Sequence, residues 1–394
     1  MTAPTRGSVL DAQIDHELAD LGQLSASLAK VMSTKAGTGR AVLDRFELLI
    51  NGVRTELASA GRAGVRDPDA AWTELAKLRR SAAEIKQEAL AFVQGVLLRE
   101  QSLDGGIGMI GERLLDELSE RTGEDRKVLL AVSDNEFFSH TVSMVRGRYP
   151  DVSVWNLPIL AHELGHHVAA TLRDAKPALR EDNRPIAVYL SEEADNDASF
   201  ANVDRGIALA HLHELFADVY ATYVLGAAYP LNMIMLSARP DGFRAATRTH
   251  PSWSRRVHTV AAATDVLGTP GHSGAAGYRD LAETISKIWR TIAGDADITV
   301  NERAVTEIQA SAMVRVLAEH AFPRARYEMP ERLHAIVIDP NQAIVDPADD
   351  VTLADVLNAA WRWRIANWGS PGWLVERASQ RAVELCRRTV RSVG

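Results

Sequence analysis

The sequence predicts a mainly α-helical protein with a small β-sheet, an α+β class, with its chemistry in the middle of the chain. Three observations predict it. Apolar residues recur at alternating spacings of three and four towards both ends, and short Val- and Phe-rich segments bounded by turn residues lie between them. Within that middle, an apolar segment of helical character, 156–172, carries His162-Glu163-Leu164-Gly165-His166.

Ahead of Gly105 the periodicity defines three helices. Ile14, Leu18, Leu21, Leu24, Leu28 and Val31 form one stripe, Val42, Phe46, Leu49, Val53 and Leu57 a second, and Trp72, Leu75, Leu78, Ile85, Phe92 and Val96 a third. Gly37-Thr38-Gly39 and the stretch 61–68 connect them, so 1–104 is expected to be a bundle of antiparallel neighbours. Its simplest role is packing; an adaptor, an oligomerisation element or a cover over the site are the alternatives. Gly105-Gly106 ends the pattern and opens a central region, 105–270. There 111–120 reads as a helix, and 127–133, 137–145 and 152–155 as short strands separated by Asp134-Asn135 and Gly147-Arg148-Tyr149-Pro150. The segment 205–229 is apolar and unbroken until Pro230, as a helix buried on most sides would be. After Gly271 a C-terminal helical region, 271–394, follows. Leu281, Ile285, Ile288 and Ile292 make one stripe there, and Val305, Ile308, Ala312 and Val316 another. Trp361, Trp363, Trp368 and Trp373 are read as packing for the last helices, and a β-like run at 335–338 has no obvious neighbour.

Composition narrows the class of function. The 394 residues are 46% hydrophobic and 24% charged, an ordinary globular balance. A net charge of −8 argues against general affinity for nucleic acid or an anionic membrane, both of which reward basic patches. Cys386 is the single cysteine, which rules out an internal disulfide or a thiolate metal cluster and suits a reducing compartment. The first residues do not read as a secretory signal, and the longest apolar candidate, 220–236, is interrupted by Gly226, Pro230 and Asn232. A soluble, cytoplasmic protein without nucleic-acid or membrane partners is expected.

The pentapeptide at 162–166 spells HExxH. On a helix the i,i+4 spacing places both imidazoles on one face, and neutral imidazole is a preferred zinc ligand. Glu163 is rotated towards the neighbouring face, where a carboxylate can take a proton from water without occupying the metal. Catalytic zinc takes three protein ligands, so a third donor is required. Glu214 fits best. It lies in the buried helix at 205–229, with Asp218 one turn on and the small Ala217 between them, which permits a close helix approach. Asp218 is then placed to accept the free N–H of a ligating histidine. The competing reading pairs Glu214 and Asp218 with arginines at a helix surface.

A third segment, Thr249-His250-Pro251-Ser252-Trp253-Ser254-Arg255-Arg256-Val257, completes an ordered series. HExxH, then Glu214-Leu215-Phe216-Ala217-Asp218, then this THPxxxxRV pattern resemble the gluzincin zinc metallopeptidases, in particular the family of the CAAX prenyl proteases, the bacterial heat-shock membrane protease and their soluble minigluzincin relatives. The likeness covers 111–257, since Arg113-Leu114-Leu115 and Arg121-Thr122-Gly123 also look like that family's lead-in. The resemblance implies a zincin-like core with His162, His166 and Glu214 holding Zn²⁺, Glu163 as general base and acid, Asp218 behind the ligands and His250 beside the site as a catalytic donor. Arg256 either anchors a carboxylate near the site or closes the fold, and the structural role is favoured. His167, His211 and His213 are read as structural. The stretch 173–204, with acidic residues from 192 to 197, is read as a solvated insertion; a lid, or a preference for basic substrates, is the alternative. A strand beside the metal helix is expected to receive an extended peptide. The functional expectation is a zinc-dependent endopeptidase acting on protein or peptide; the alternative is a metal-stabilised, non-catalytic protein that binds a partner.

Overall fold

The computed structural model describes residues 6–32, 38–64, 67–100, 105–123, 129–133, 137–139, 144–148, 153–175, 203–237, 243–269, 274–293, 298–330, 333, 335–343, 348 and 350–392. The chain divides into two compact units, residues 1–103 with 131–134 and 139–144, and residues 104–130 with 135–138 and 145–394. In the first, α1 (Arg6–Met32), α2 (Thr38–Gly64) and α3 (Pro68–Glu100) pack on one another. Leu10, Ile14, Leu21 and Leu28 of α1 are buried with Leu43, Phe46, Ile50, Val53 and Leu57 of α2 and Leu75, Leu78, Ile85 and Phe92 of α3. The rings of Phe46 and Phe92 lie 6.0 Å apart, and Arg79 and Lys86 of α3 pair with Glu17 of α1 at 3.2 Å each. The buried stripes sit about one residue away from some expected positions, because α-helical spacing alone cannot separate Leu49 from Ile50.

The second unit begins with α4 (Ile107–Thr122), ended by Gly123, whose φ of 66° lets its N–H reach back to the last carbonyls. Along the chain, though not wholly within this unit, three short strands follow, β1 (Leu129–Ser133), β2 (Phe137–Ser139) and β3 (Met144–Arg148), paired in the order β1-β3-β2. Then come α5 (Ile159–Ala175), α6 (Arg205–Leu225), α7 (Ala228–Asn232) and a π-helical turn, Met233–Ser237. The remainder is α8 (Trp253–Leu267), α9 (Ala275–Ala293), α10 (Val300–Arg315) with a π-helical end, α11 (Leu353–Ala366) and α12 (Gly372–Ser392).

The α+β expectation is corrected to a mainly-α class. The strands are only 5, 3 and 5 residues long, and the described core of this unit is helix packed on helix, from Ile107 to Cys386. The expected strand at 152–155 is instead, over its described residues, a turn leading into α5, and the run at 335–338 is irregular. Local β-branched content misled there, because β propensity reports burial on a pleated surface, and Val154 is buried among helices instead. The core also runs on past 270, where a third region was expected to begin. The tryptophan reading holds only in part: Trp361 is fully buried, Trp363 packs on the core, and Trp368 and Trp373 are each 57% exposed. The insertion at 176–202, with its acidic residues, lies outside the described residues. No helix among the described residues is long and apolar enough to cross a membrane.

Candidate metal centre

Two helices carry the cluster, and their sequences explain how close they come. α5 starts after a series of turns ending at Pro158, where the missing N–H costs nothing, and buries Leu160, Ala161, Leu164, Val168 and Ala169. α6 is capped by Asp204, whose side chain accepts from the N–H groups of Gly206 and Ile207, and is buried without interruption from Glu214 to Leu225. It stops at Leu225, four residues short of the run to Tyr229 expected from sequence, because the chain turns at Gly226 (φ 74°), a position where a side chain would also collide with Tyr327. Asn358 bridges the break, donating to Leu225 O at 2.7 Å and accepting from Ala228 N at 2.9 Å. α5 and α6 meet at Gly165 and Ala217. A Cβ on Gly165 would stand 2.9 Å from the Ala217 Cα, closer than any ordinary contact between carbon atoms.

That approach brings His162, His166 and Glu214 together, with one ligand atom of each within 4.8 Å of the others. His162 Nε2 lies 3.1 Å from His166 Nε2 and 3.5 Å from Glu214 Oε2, and His166 Nε2 lies 3.3 Å from Glu214 Oε1. Glu163 follows His162 and is buried. His250 stands at the edge, half exposed, with Nε2 3.5 Å from Glu214 Oε1. A tight turn holds it there: the Thr247 hydroxyl accepts from His250 N at 2.9 Å, and Thr247 N donates to His250 O at 2.9 Å. His211 Nε2 lies 2.8 Å from the Thr247 carbonyl, so this histidine ties the turn to α6.

Behind the cluster sits a buried polar network. Asp218 is fully buried; Arg256 Nε donates to its Oδ2 at 2.8 Å and Arg256 Nη2 to its Oδ1 at 2.7 Å. The Arg256 guanidinium also lies 3.7 Å from Glu214 Oε2 and over the Trp253 ring at 4.7 Å. Asp218 Oδ1 is 3.0 Å from His162 Nδ1, and the Tyr229 hydroxyl donates a short bond to the same oxygen while lying 3.0 Å from His162 Nδ1. Burial alone would lower the basicity of His162, but the Asp218 and Glu214 carboxylates outweigh it and hold the imidazole at about 10. Burial would raise Asp218, yet Arg256 and His162 bring it to about 2. Glu214 is driven below the carboxylate range, burial being outweighed by His162, His166 and Arg256.

The donor set fits a divalent cation with nitrogen and oxygen preference, and one observation favours that fit over a plain ion-pair cluster. Glu214 Oε2 is buried and has no hydrogen-bond partner among the described residues, although His162 Nε2 lies 3.5 Å and Arg256 Nη2 3.7 Å from it. A buried carboxylate oxygen left without a partner is costly, and a cation shared with two histidines would remove the cost.

Sequence reasoning named the three donors, Glu163, Asp218 and His250, and the structure places all six in one neighbourhood of the second unit. It underrated Arg256, and it missed Tyr229 and Gly165. A tyrosine beyond a helix break carries no local pattern; Gly165, inside the HExxH itself, was a signal for close helix approach. The side chains of the three strands lie outside the described residues, and the expected substrate strand falls outside them too. No family model matches this chain, and no curated protein or solved structure matches it either.

Proposed function

We propose that this protein is a soluble, cytoplasmic zinc-dependent endopeptidase of the gluzincin type, in which His162, His166 and Glu214 hold Zn²⁺. The observation that carries the reading is the convergence of these three donors, two from one helical turn and one from a second helix, beside a buried Glu163. When bound there, zinc would supply Lewis acidity, polarising a peptide carbonyl and making a nearby water easier to deprotonate.

The chain's own residues supply the rest. Glu163 removes the proton from the attacking water and delivers it to the leaving amine nitrogen, so one carboxylate serves as base and then as acid. His250, exposed at the rim, donates a hydrogen bond to the carbonyl oxygen as negative charge builds on it. Asp218 holds the His162 ring by its Nδ1 edge and is itself fixed by Arg256. The ordered motifs, HExxH, Glu214 with Asp218, and His250 with Arg256, support the family resemblance as part of this proposal.

Purified protein is expected to contain about one zinc per chain, and Glu163→Gln to retain the metal while losing cleavage of a peptide library. Equal cleavage by that variant would remove the mechanism. A metal-stabilised partner-binding protein is the other reading; it requires zinc loss to lower the melting temperature with no peptide cleaved by the wild type.

A further inference from the structure

Tyr229 is the residue of this neighbourhood that the function above leaves unused. It is fully buried in α7, just past the break at Gly226, and its ring plane lies within 7° of the His162 ring with 5.7 Å between centroids. Its hydroxyl touches two groups at once: it donates to Asp218 Oδ1 and stands 3.0 Å from His162 Nδ1. A hydroxyl has one proton to give and lone pairs to receive with. With its proton committed to the carboxylate, the oxygen turned towards His162 can only accept, so the hydrogen at that contact belongs to Nδ1.

We propose that Tyr229 is a positioning residue of the metal centre, a relay between His162 Nδ1–H and Asp218 that fixes the imidazole tautomer leaving Nε2 free to ligate. The chain of donation runs from His162 Nδ1–H to the Tyr229 oxygen, and from the Tyr229 O–H to Asp218, whose oxygens also receive Arg256. Asp218 alone does not enforce this arrangement as tightly. Its Oδ1 is shared among Tyr229, Arg256 and His162, so one oxygen serves three donors, and the tyrosine oxygen gives Nδ1–H a second acceptor. The placement depends on tertiary structure: Asn358 holds the α6–α7 junction, and Asn232 at the end of α7 donates to Trp155 O at 2.7 Å, tying α7 to the turn that precedes α5. The inference rests on the zinc reading of the same site.

The test is zinc affinity, measured by competition with a chromophoric chelator, for the wild-type full chain and two variants. Tyr229→Phe removes only the hydroxyl and is expected to weaken zinc binding about 10- to 100-fold, the usual range for losing a partner of a metal-ligating histidine. Tyr223→Phe is the control, a buried tyrosine of α6 that loses its bond to Phe322 O and is expected to keep wild-type affinity. Equal affinities for Tyr229→Phe and wild type, or equal losses in both variants, would overturn the proposal. A second measurement needs no variant: imidazole ¹⁵N–¹H spectra of the zinc-loaded wild type are expected to place the His162 proton on Nδ1, and a proton-free Nδ1 would overturn it. Failure of the wild type to bind zinc at all would instead strike the metal reading, so the two failures are distinguishable.

Discussion

Gly165→Ala isolates what the close approach of α5 and α6 does for the metal centre. The added methyl would lie 2.9 Å from the Ala217 Cα, 3.1 Å from Tyr220 Cδ1 and 3.2 Å from the Ala217 Cβ. Carbon atoms pack at about 3.5–4.0 Å, so relief requires roughly half an ångström or more of separation between the helices. The Tyr220 ring can turn, whereas the Ala217 Cα is backbone and moves only with α6. Overpacking of this kind costs about 1–3 kcal/mol, and replacing a helical glycine by alanine returns up to about 1 kcal/mol of helix propensity. Net destabilisation is therefore modest, up to about 3 kcal/mol, and the melting temperature should fall by only a few degrees. The site is less tolerant, because metal–ligand distances must hold within about 0.2 Å. Moving His162 and His166 away from Glu214 by more than that is expected to lower zinc affinity at least 10-fold, an effect larger than the stability change explains. Zinc competition and thermal denaturation on the same samples provide the comparison. Unchanged zinc affinity in a folded Gly165→Ala protein would refute the claim that this contact sets the ligand geometry.

Asp218→Asn leaves the buried Arg256 cation with a weaker partner; breaking a buried pair costs about 3–5 kcal/mol, so a large fall in melting temperature is expected, and a fall within one degree would contradict the assigned pairing. His250→Ala is expected to keep zinc stoichiometry while lowering cleavage about 10²–10³-fold, and a metal analysis beside a rate measurement checks both halves. In the metal-free protein His162, held at about 10 against the pull of burial, is protonated at pH 7–8, so zinc uptake should release close to one proton from it. Calorimetry in buffers of different ionisation enthalpy measures that release, and zero protons would count against the buried imidazolium. The same shift fixes a sign: because the folded value is raised, its contribution to metal-free stability is complete below about pH 6.5 and fades as pH rises towards 10, which denaturant titrations at several pH values would show.

The sequence by itself determined which residues gather at the candidate site more fully than it determined their surroundings. HExxH on an apolar helix, and a glutamate and an aspartate one turn apart on a second, were legible because helical spacing dictates which side chains share a face. The three N-terminal helices were legible for the same reason, since their stripes are long and periodic. Only the tertiary structure decided the rest. The segment 152–155 reads as a strand because valine suits any buried surface, and only neighbours far along the chain show that Val154 is buried among helices. Tyr229 reaches His162, 67 residues away in sequence, because Gly226 turns the chain and Asn358 secures the turn from 130 residues further on. Arg256 finds Asp218 across 38 residues for a comparable reason: a buried carboxylate requires a compensating donor, and the requirement is visible in sequence while the donor's identity is not.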